Sequence, residues 1–192
     1  MISPVLPPGS TVGIIGGGQL GRMTALAAAT LGYKCHIFCP ENESPASLIS
    51  NAATIAPYDD QNSLEVFANT IDVATFEFEN IPVETIKFLE SKVPTHPNSK
   101  SLEISQDRLI EKNFISSTAS IAKFCQVNDQ DSLELAIKKI GLPAVLKTRR
   151  FGYDGKGQYP VKSIDEFNLL DIDFAKEYIL VKLVKLKVKN LV

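Results

Sequence analysis

The residues best suited to chemistry are a lysine closing an apolar run and the glycine-rich, cationic stretch behind it. They read Val145-Leu146-Lys147-Thr148-Arg149-Arg150, then Gly152-Tyr153-Asp154-Gly155-Lys156-Gly157-Gln158. A buried strand would deliver Lys147 at its end. The glycines let the following backbone fold over a phosphate, and fixed cations offset phosphate charge. A β-hairpin turn with solvated lysines uses the same residue types.

A second candidate is Gly16-Gly17-Gly18-Gln19-Leu20-Gly21, a GxGxxG between a β-branched run and a helical pattern. Glycines tighten such a turn and bring backbone N–H groups onto a phosphate at the helix N-terminus. The same residues also serve a tight turn with close helix–strand packing. Glu41 lies about 20 residues further on, as the ribose-binding acid of a dinucleotide site does, but it follows Pro40 and falls past the strand end.

In Thr75-Phe76-Glu77-Phe78-Glu79-Asn80, alternation places Glu77 and Glu79 opposite Phe76 and Phe78. These acids would lie beyond the carboxyl end of a strand, where open α/β sheets bind ligands; a solvated strand end is the alternative. Gln106-Asp107-Arg108-Leu109-Ile110-Glu111-Lys112 opens a charged helix with Arg108 and Lys112 on one face. His36 and His96 are isolated and outside metal-ligand spacing. Neither a GxSxG elbow nor a GxxxxGK[ST] loop occurs.

The elements that must position these residues alternate along the chain. Strands are expected at Thr11–Ile15, Tyr33–Cys39, Ala52–Ala56 and Val73–Phe78, with helices at Gln19–Leu31, Gln61–Thr70 and Pro82–Leu89. That order predicts βαβ units and a parallel sheet. The proline-bearing stretch Val93–Ser101 is the expected boundary, giving domains 1–97 and 98–192. Beyond it, helices are expected at Leu102–Ser116 and Ser132–Ile140, strands at Pro143–Thr148 and Ile179–Val192, and a loop at Arg149–Gln158.

Composition narrows the class. The 192 residues are 44% hydrophobic and 22% charged, with a formal net charge of −2. That supports a buried core but no field for non-specific nucleic-acid binding. The three cysteines form no CxxC pair, which argues against a disulfide framework and for a reducing compartment. Met1–Ser10 does not read as a signal peptide, and no apolar run reaches membrane-spanning length. A soluble, cytoplasmic protein without membrane or nucleic-acid partners is expected.

Taken together, GGGQLGRM (16–23), TFEFENIP (75–82), QDRLIEK (106–112) and LKTRRFGYDGKGQ (146–158) resemble the N5-carboxyaminoimidazole ribonucleotide synthetase family. This family is also called the ATPase subunit of phosphoribosylaminoimidazole carboxylase. The resemblance implies a Rossmann-like, parallel-sheet pre-ATP-grasp domain followed by an incomplete ATP-grasp domain. It also implies a purine-biosynthetic ligase that uses ATP, magnesium and bicarbonate to carboxylate 5-aminoimidazole ribonucleotide through carboxyphosphate. Gly18, Gln19 and Leu20 would hold the ribonucleotide, with Glu77 and Glu79 lining its cleft. Arg108 and Lys147 would contact the ATP phosphates, beneath a closing loop that includes Gly152, Gly155, Gly157 and Gln158. Tyr153, Asp154 and Lys156 would stand nearest the imidazole and the reacting carboxylate. A homodimer is the implied assembly.

The sequence departs from the family pattern near its end. Val181 and Lys182 occupy the hinge, and Lys189 stands where the family places an acid for the ATP ribose. Family members run to nearly twice this length, and the magnesium-binding acids are expected in the part not present. The expectation is therefore descent from the synthetase, with this chain inactive alone. A ribonucleotide-binding remnant without catalysis and a dinucleotide-binding reductase are the alternatives.

Overall fold

The structure is a computed structural model that describes residues 5–152, 155–163, 165–166 and 171–184. The chain divides into two units, Met1–Glu103 and Ile104–Val192. Among the described residues, no helix is long and apolar enough to cross a membrane.

The first unit carries β1 (Thr11–Ile15), α1 (Gln19–Thr30), β2 (Lys34–Cys39), β3 (Ala52–Ile55), α2 (Gln61–Ala68), β4 (Val73–Phe76) and α3 (Val83–Glu90). Its strands form a parallel sheet in the order β3-β2-β1-β4. Strand alternation divides the core between the two faces. Ile14, Cys35, Ile37 and Cys39 pack with Ala25 of α1, whereas Ile15, Phe38 and Ala74 pack with Leu64, Phe67, Ile86 and Leu89 of α2 and α3. Nearly continuous apolar strands follow from burial on both faces. A Cβ on Gly13 would run into Phe67 and Ile71, so glycine there permits close helix–sheet approach. β4 stops at Phe76, two residues before the expected end, and Phe76 and Phe78 both pack on one core. Glu77 lies just past the strand, although its N–H still donates to the Ile15 carbonyl at 3.1 Å.

The expected helix 102–116 is two helices, α4 (Ser99–Ser105) and α5 (Arg108–Ser116). Asp107 is the reason. Its backbone is extended, and its carboxylate accepts the N–H groups of Leu109 and Ile110, capping α5.

The second unit continues with β5 (Phe124–Val127), α6 (Gln130–Ile140), β6 (Ala144–Thr148), β7 (Gln158–Val161) and β8 (Tyr178–Lys182). These strands form an antiparallel sheet in the order β5-β8-β6-β7. Ala144, Leu146, Tyr178 and Leu180 share a core with Leu133, Ala136, Ile137 and Ile140 of α6. Asp129 and Ser132 form a reciprocal cap that starts α6, and Gly141 at φ 74° ends it. Alternation then turns Lys147 to the face away from α6. Lys185, Lys187 and Lys189 lie outside the described residues.

Candidate functional site

In the first unit the glycine turn follows β1 directly, with Gly16 at φ 112°. The Glu77 carboxylate fills it. Gly18 N–H donates to Oε1 at 2.8 Å and Gly21 N–H to Oε2 at 2.9 Å. A Cβ on Gly16 or Gly18 would strike the Glu77 side chain. The positive end of α1 is thus neutralised by a carboxylate from the loop after β4. A pyrophosphate would need those same N–H groups, so the turn does not have the open cradle of a dinucleotide site.

Beside the turn lies a cavity of about 480 Å³ lined by Gly17, Gly18, Glu41, Ser44, Tyr58, Glu77 and Phe78, among others. Burial first, and then Glu41, Cys39 and Glu77, push the Tyr58 phenol above its ordinary range. Tyr58 therefore stays neutral and can donate a hydrogen bond. The cavity wall offers carboxylates, a phenol and a hydroxyl, which suit ligand hydroxyl or amine groups better than phosphate. Gln19 and Leu20 project outward from the first turn of α1 and are exposed, and Glu79 is exposed beyond β4. Of the residues expected to hold ribonucleotide, Gly18 and Glu77 line this cavity. Ser44 and Tyr58 escaped sequence reasoning because nothing local links them, whereas Glu41, weighed there as a dinucleotide ribose-binding acid, lines this cavity instead.

In the second unit Lys147 sits on β6 with Arg108 and Lys112 of α5 nearby. Burial lowers the Lys147 pKa, and the positive charges of Arg108 and Lys112 lower it further. Among the described residues, no hydrogen bond or ion pair involves the Lys147 side chain, while its backbone lies in the sheet opposite Gln158 and Ile179. Lys112 lies over the Phe124 ring, 5.8 Å from its centroid. Three cations converge where like charges repel, an arrangement that an anion relieves.

The glycine-rich loop connects β6 to β7 as an antiparallel hairpin, with Lys147 opposite Gln158. Arg108 grips its root, donating Nη1 to the Thr148 carbonyl at 2.7 Å and Nη2 to the Gly152 carbonyl at 2.8 Å. A Cβ on Gly152 would meet Arg108, and one on Gly157 would meet Thr148. Gly155 and Gly157 have φ of 81° and 67°, a region glycine enters without strain. Lys156 is exposed on the same loop, while Tyr153 and Asp154 lie outside the described residues.

Behind the loop stands an ion network that sequence reasoning missed. Asp107 is buried and receives Arg149 Nε at 3.0 Å and Nη2 at 2.5 Å. Arg149 Nη1 also donates to Glu177 at 2.6 Å. Burial alone would raise the Asp107 pKa, but hydrogen bonds from Arg149 and from Leu109 N–H hold it below the usual carboxylate range. The only signal in the sequence was an Asp immediately before a helical pattern.

No group of three or more His, Cys, Asp or Glu able to hold a metal occurs among the described residues.

Residues 10–106 match the ribonucleotide synthetase preATP-grasp domain, and residues 112–188 match the ATP-grasp domain. The chain is 51% identical over 166 residues to the bifunctional purine synthesis protein purC/E of Dictyostelium discoideum, covering 86% of this chain and 16% of that protein. It is 46% identical over 162 residues to the N5-carboxyaminoimidazole ribonucleotide synthase of Brucella melitensis, covering 84% of this chain and 45% of the relative. Among solved structures, N5-carboxyaminoimidazole synthetase from Staphylococcus aureus complexed with ADP superposes with a TM-score of 0.86 at 34% identity, covering 95% of this chain and 49% of that one. The chain thus spans less than half the length of these relatives.

Proposed function

This chain belongs to the N5-carboxyaminoimidazole ribonucleotide synthetase family, and we propose from that premise that it serves ATP-dependent carboxylation of 5-aminoimidazole ribonucleotide in purine biosynthesis. Lys147, beside Arg108 and Lys112 and with no side-chain partner among the described residues, is the observation that carries this reading. These cations would bind the ATP phosphates, with the loop residues Gly152, Gly155, Gly157 and Gln158 folded over them. Phosphoryl transfer rests on positioned charge, which this cluster supplies.

Bicarbonate would accept the γ-phosphoryl group to give carboxyphosphate and ADP. The substrate amine would then attack the carboxyl carbon and release phosphate. Tyr153, Asp154 and Lys156 are assigned to the end of the loop nearest that chemistry. Gly18, Gln19 and Leu20, with Glu77 and Glu79, are assigned to the ribonucleotide. The acid-walled cavity suits its hydroxyl and amine groups. Magnesium belongs to the reaction, but no described residue is assigned to it. A cytoplasmic homodimer with the domain limits 1–97 and 98–192 completes the proposal.

Titration calorimetry of the chain with ATP, and separately with 5-aminoimidazole ribonucleotide, tests it. Saturable ATP binding should weaken at least about tenfold in Lys147→Met, the scale for losing one charge-assisted contact. No ATP binding by the unmodified chain would overturn the nucleotide reading. Ribonucleotide binding without any phosphate release on adding bicarbonate and ATP would leave a binding module without catalysis.

A further inference from the structure

The cation cluster and the loop root do not position themselves. Asp107 accepts four donors: the N–H groups of Leu109 and Ile110 at 2.9 and 3.4 Å, and two Arg149 nitrogens at 3.0 and 2.5 Å. One residue along, Arg108 N–H donates to the Arg149 carbonyl at 3.0 Å, and the Arg108 guanidinium grips Thr148 and Gly152. The first turn of α5 is therefore stitched to the end of β6 through both backbone and side chains. Lys112, one helical turn further along α5, is carried toward Lys147 by the rigidity of the helix.

Arg149 is not itself an anion ligand. Its three guanidinium nitrogens are engaged by Asp107 and Glu177, and two carboxylates outweigh its charge. A buried ion pair adds little stability over a well-packed apolar pair, so this one is better understood through the geometry it imposes. We propose that Asp107 and Arg149 form a positioning pair that holds the loop root and the Arg108–Lys112–Lys147 cluster in a phosphate-binding arrangement. The proposal rests on the reading of that cluster as a phosphate site.

Charge and geometry predict opposite signs. Asp107→Ser keeps a good helix cap and removes a negative charge near the cluster, so Coulomb attraction alone would tighten anion binding. Loss of positioning would weaken it. Tripolyphosphate is titrated calorimetrically into the 192-residue chain, Asp107→Ser and Arg149→Lys. Both variants are expected to bind about tenfold more weakly, the scale of a coupled pair. Arg149→Lys keeps the charge but loses the bidentate fork, and it carries the test alone if Asp107→Ser fails to fold.

Affinity equal to or above the unmodified chain in a folded variant overturns the proposal. If the unmodified chain binds no tripolyphosphate, the phosphate-site reading fails instead. Hydrogen exchange then decides the pair. The amides of Arg108 and Thr148 should exchange faster in the variants while those of α6 keep their protection, and unchanged exchange at both overturns the positioning claim.

Discussion

The Glu77 carboxylate accepts the Gly18 N–H at 2.8 Å across 59 residues of sequence. Together with the Gly21 N–H, this makes an acid from the loop after β4 the cap of α1. Gly18, at the N-cap position, makes no side-chain cap hydrogen bond, so the function usually met by a neighbouring Ser or Asp comes from a distant segment.

Glu77→Ala should therefore destabilise the first unit by roughly 1.5–3 kcal/mol, the range for hydrogen bonds to a charged group. Glu77→Gln, which keeps one acceptor, should lose less. Urea unfolding followed by circular dichroism checks the order, and equal losses for the two would count against capping. NADH added to the unmodified chain should give no saturable fluorescence change, since the turn is already filled.

Lys147 sets a pH dependence. Its pKa is lowered by burial and then by Arg108 and Lys112, so it loses its proton at lower pH than an ordinary lysine near 10.4. Anion affinity should fall as pH rises through that lowered value. Lys147→Arg, which stays protonated, should remove the alkaline decline. In the ligand-free chain the unfolded lysine keeps its proton longer, so stability should rise with pH between the two values. Flat tripolyphosphate affinity over the same pH range would sink the assignment.

His36 sets another at the acid side. It is buried, with its ring nitrogens at 2.8 Å from Thr70 Oγ1 and 2.9 Å from Thr54 Oγ1, and burial lowers its pKa. Folded and unfolded forms are both neutral above the unfolded value of about 6.5. Below it the unfolded chain gains a proton first, so the His36 contribution to stability declines as pH falls toward the folded pKa. Thermal unfolding of His36→Gln across this range should show a shallower decline than the unmodified chain; an identical slope would refute the effect.

The loop glycines differ in what they tolerate. Gly155→Ala meets nothing within 4 Å and suffers only its positive φ, a cost of about 1 kcal/mol. Gly157→Ala has positive φ as well and drives its Cβ into Thr148, so its cost should exceed that of Gly155→Ala by about 1 kcal/mol or more. Differential scanning calorimetry of the two variants gives the comparison. A larger loss for Gly155→Ala would contradict the packing at Thr148.

Local chemistry made much of this fold legible. The β-branched run before Gly16, the period of α1 and the Gly141 stop act over a few residues, so their positions follow from neighbours alone. The motifs around Gly16, Glu77, Arg108 and Lys147 likewise led to a family and its two-part fold. β5 and β7 were not visible because both are four-residue edge strands, and Pro160 within β7 is tolerated only at an edge. The break before α5 was missed because an Asp can sit within a charged helix pattern or cap a new helix.

Which carboxylate meets which donor was beyond any local pattern. Glu77 reaches the glycine turn only after β1 and β4 have paired, and Asp107 reaches Arg149 only after the start of α5 has docked on the end of β6. Spacing in sequence shows that charges and glycines are available. Packing decides that Glu77 closes one phosphate-like turn and that Lys147 is left with two cations for neighbours, because burial and partnership are properties of the assembled sheet rather than of the segments that form it.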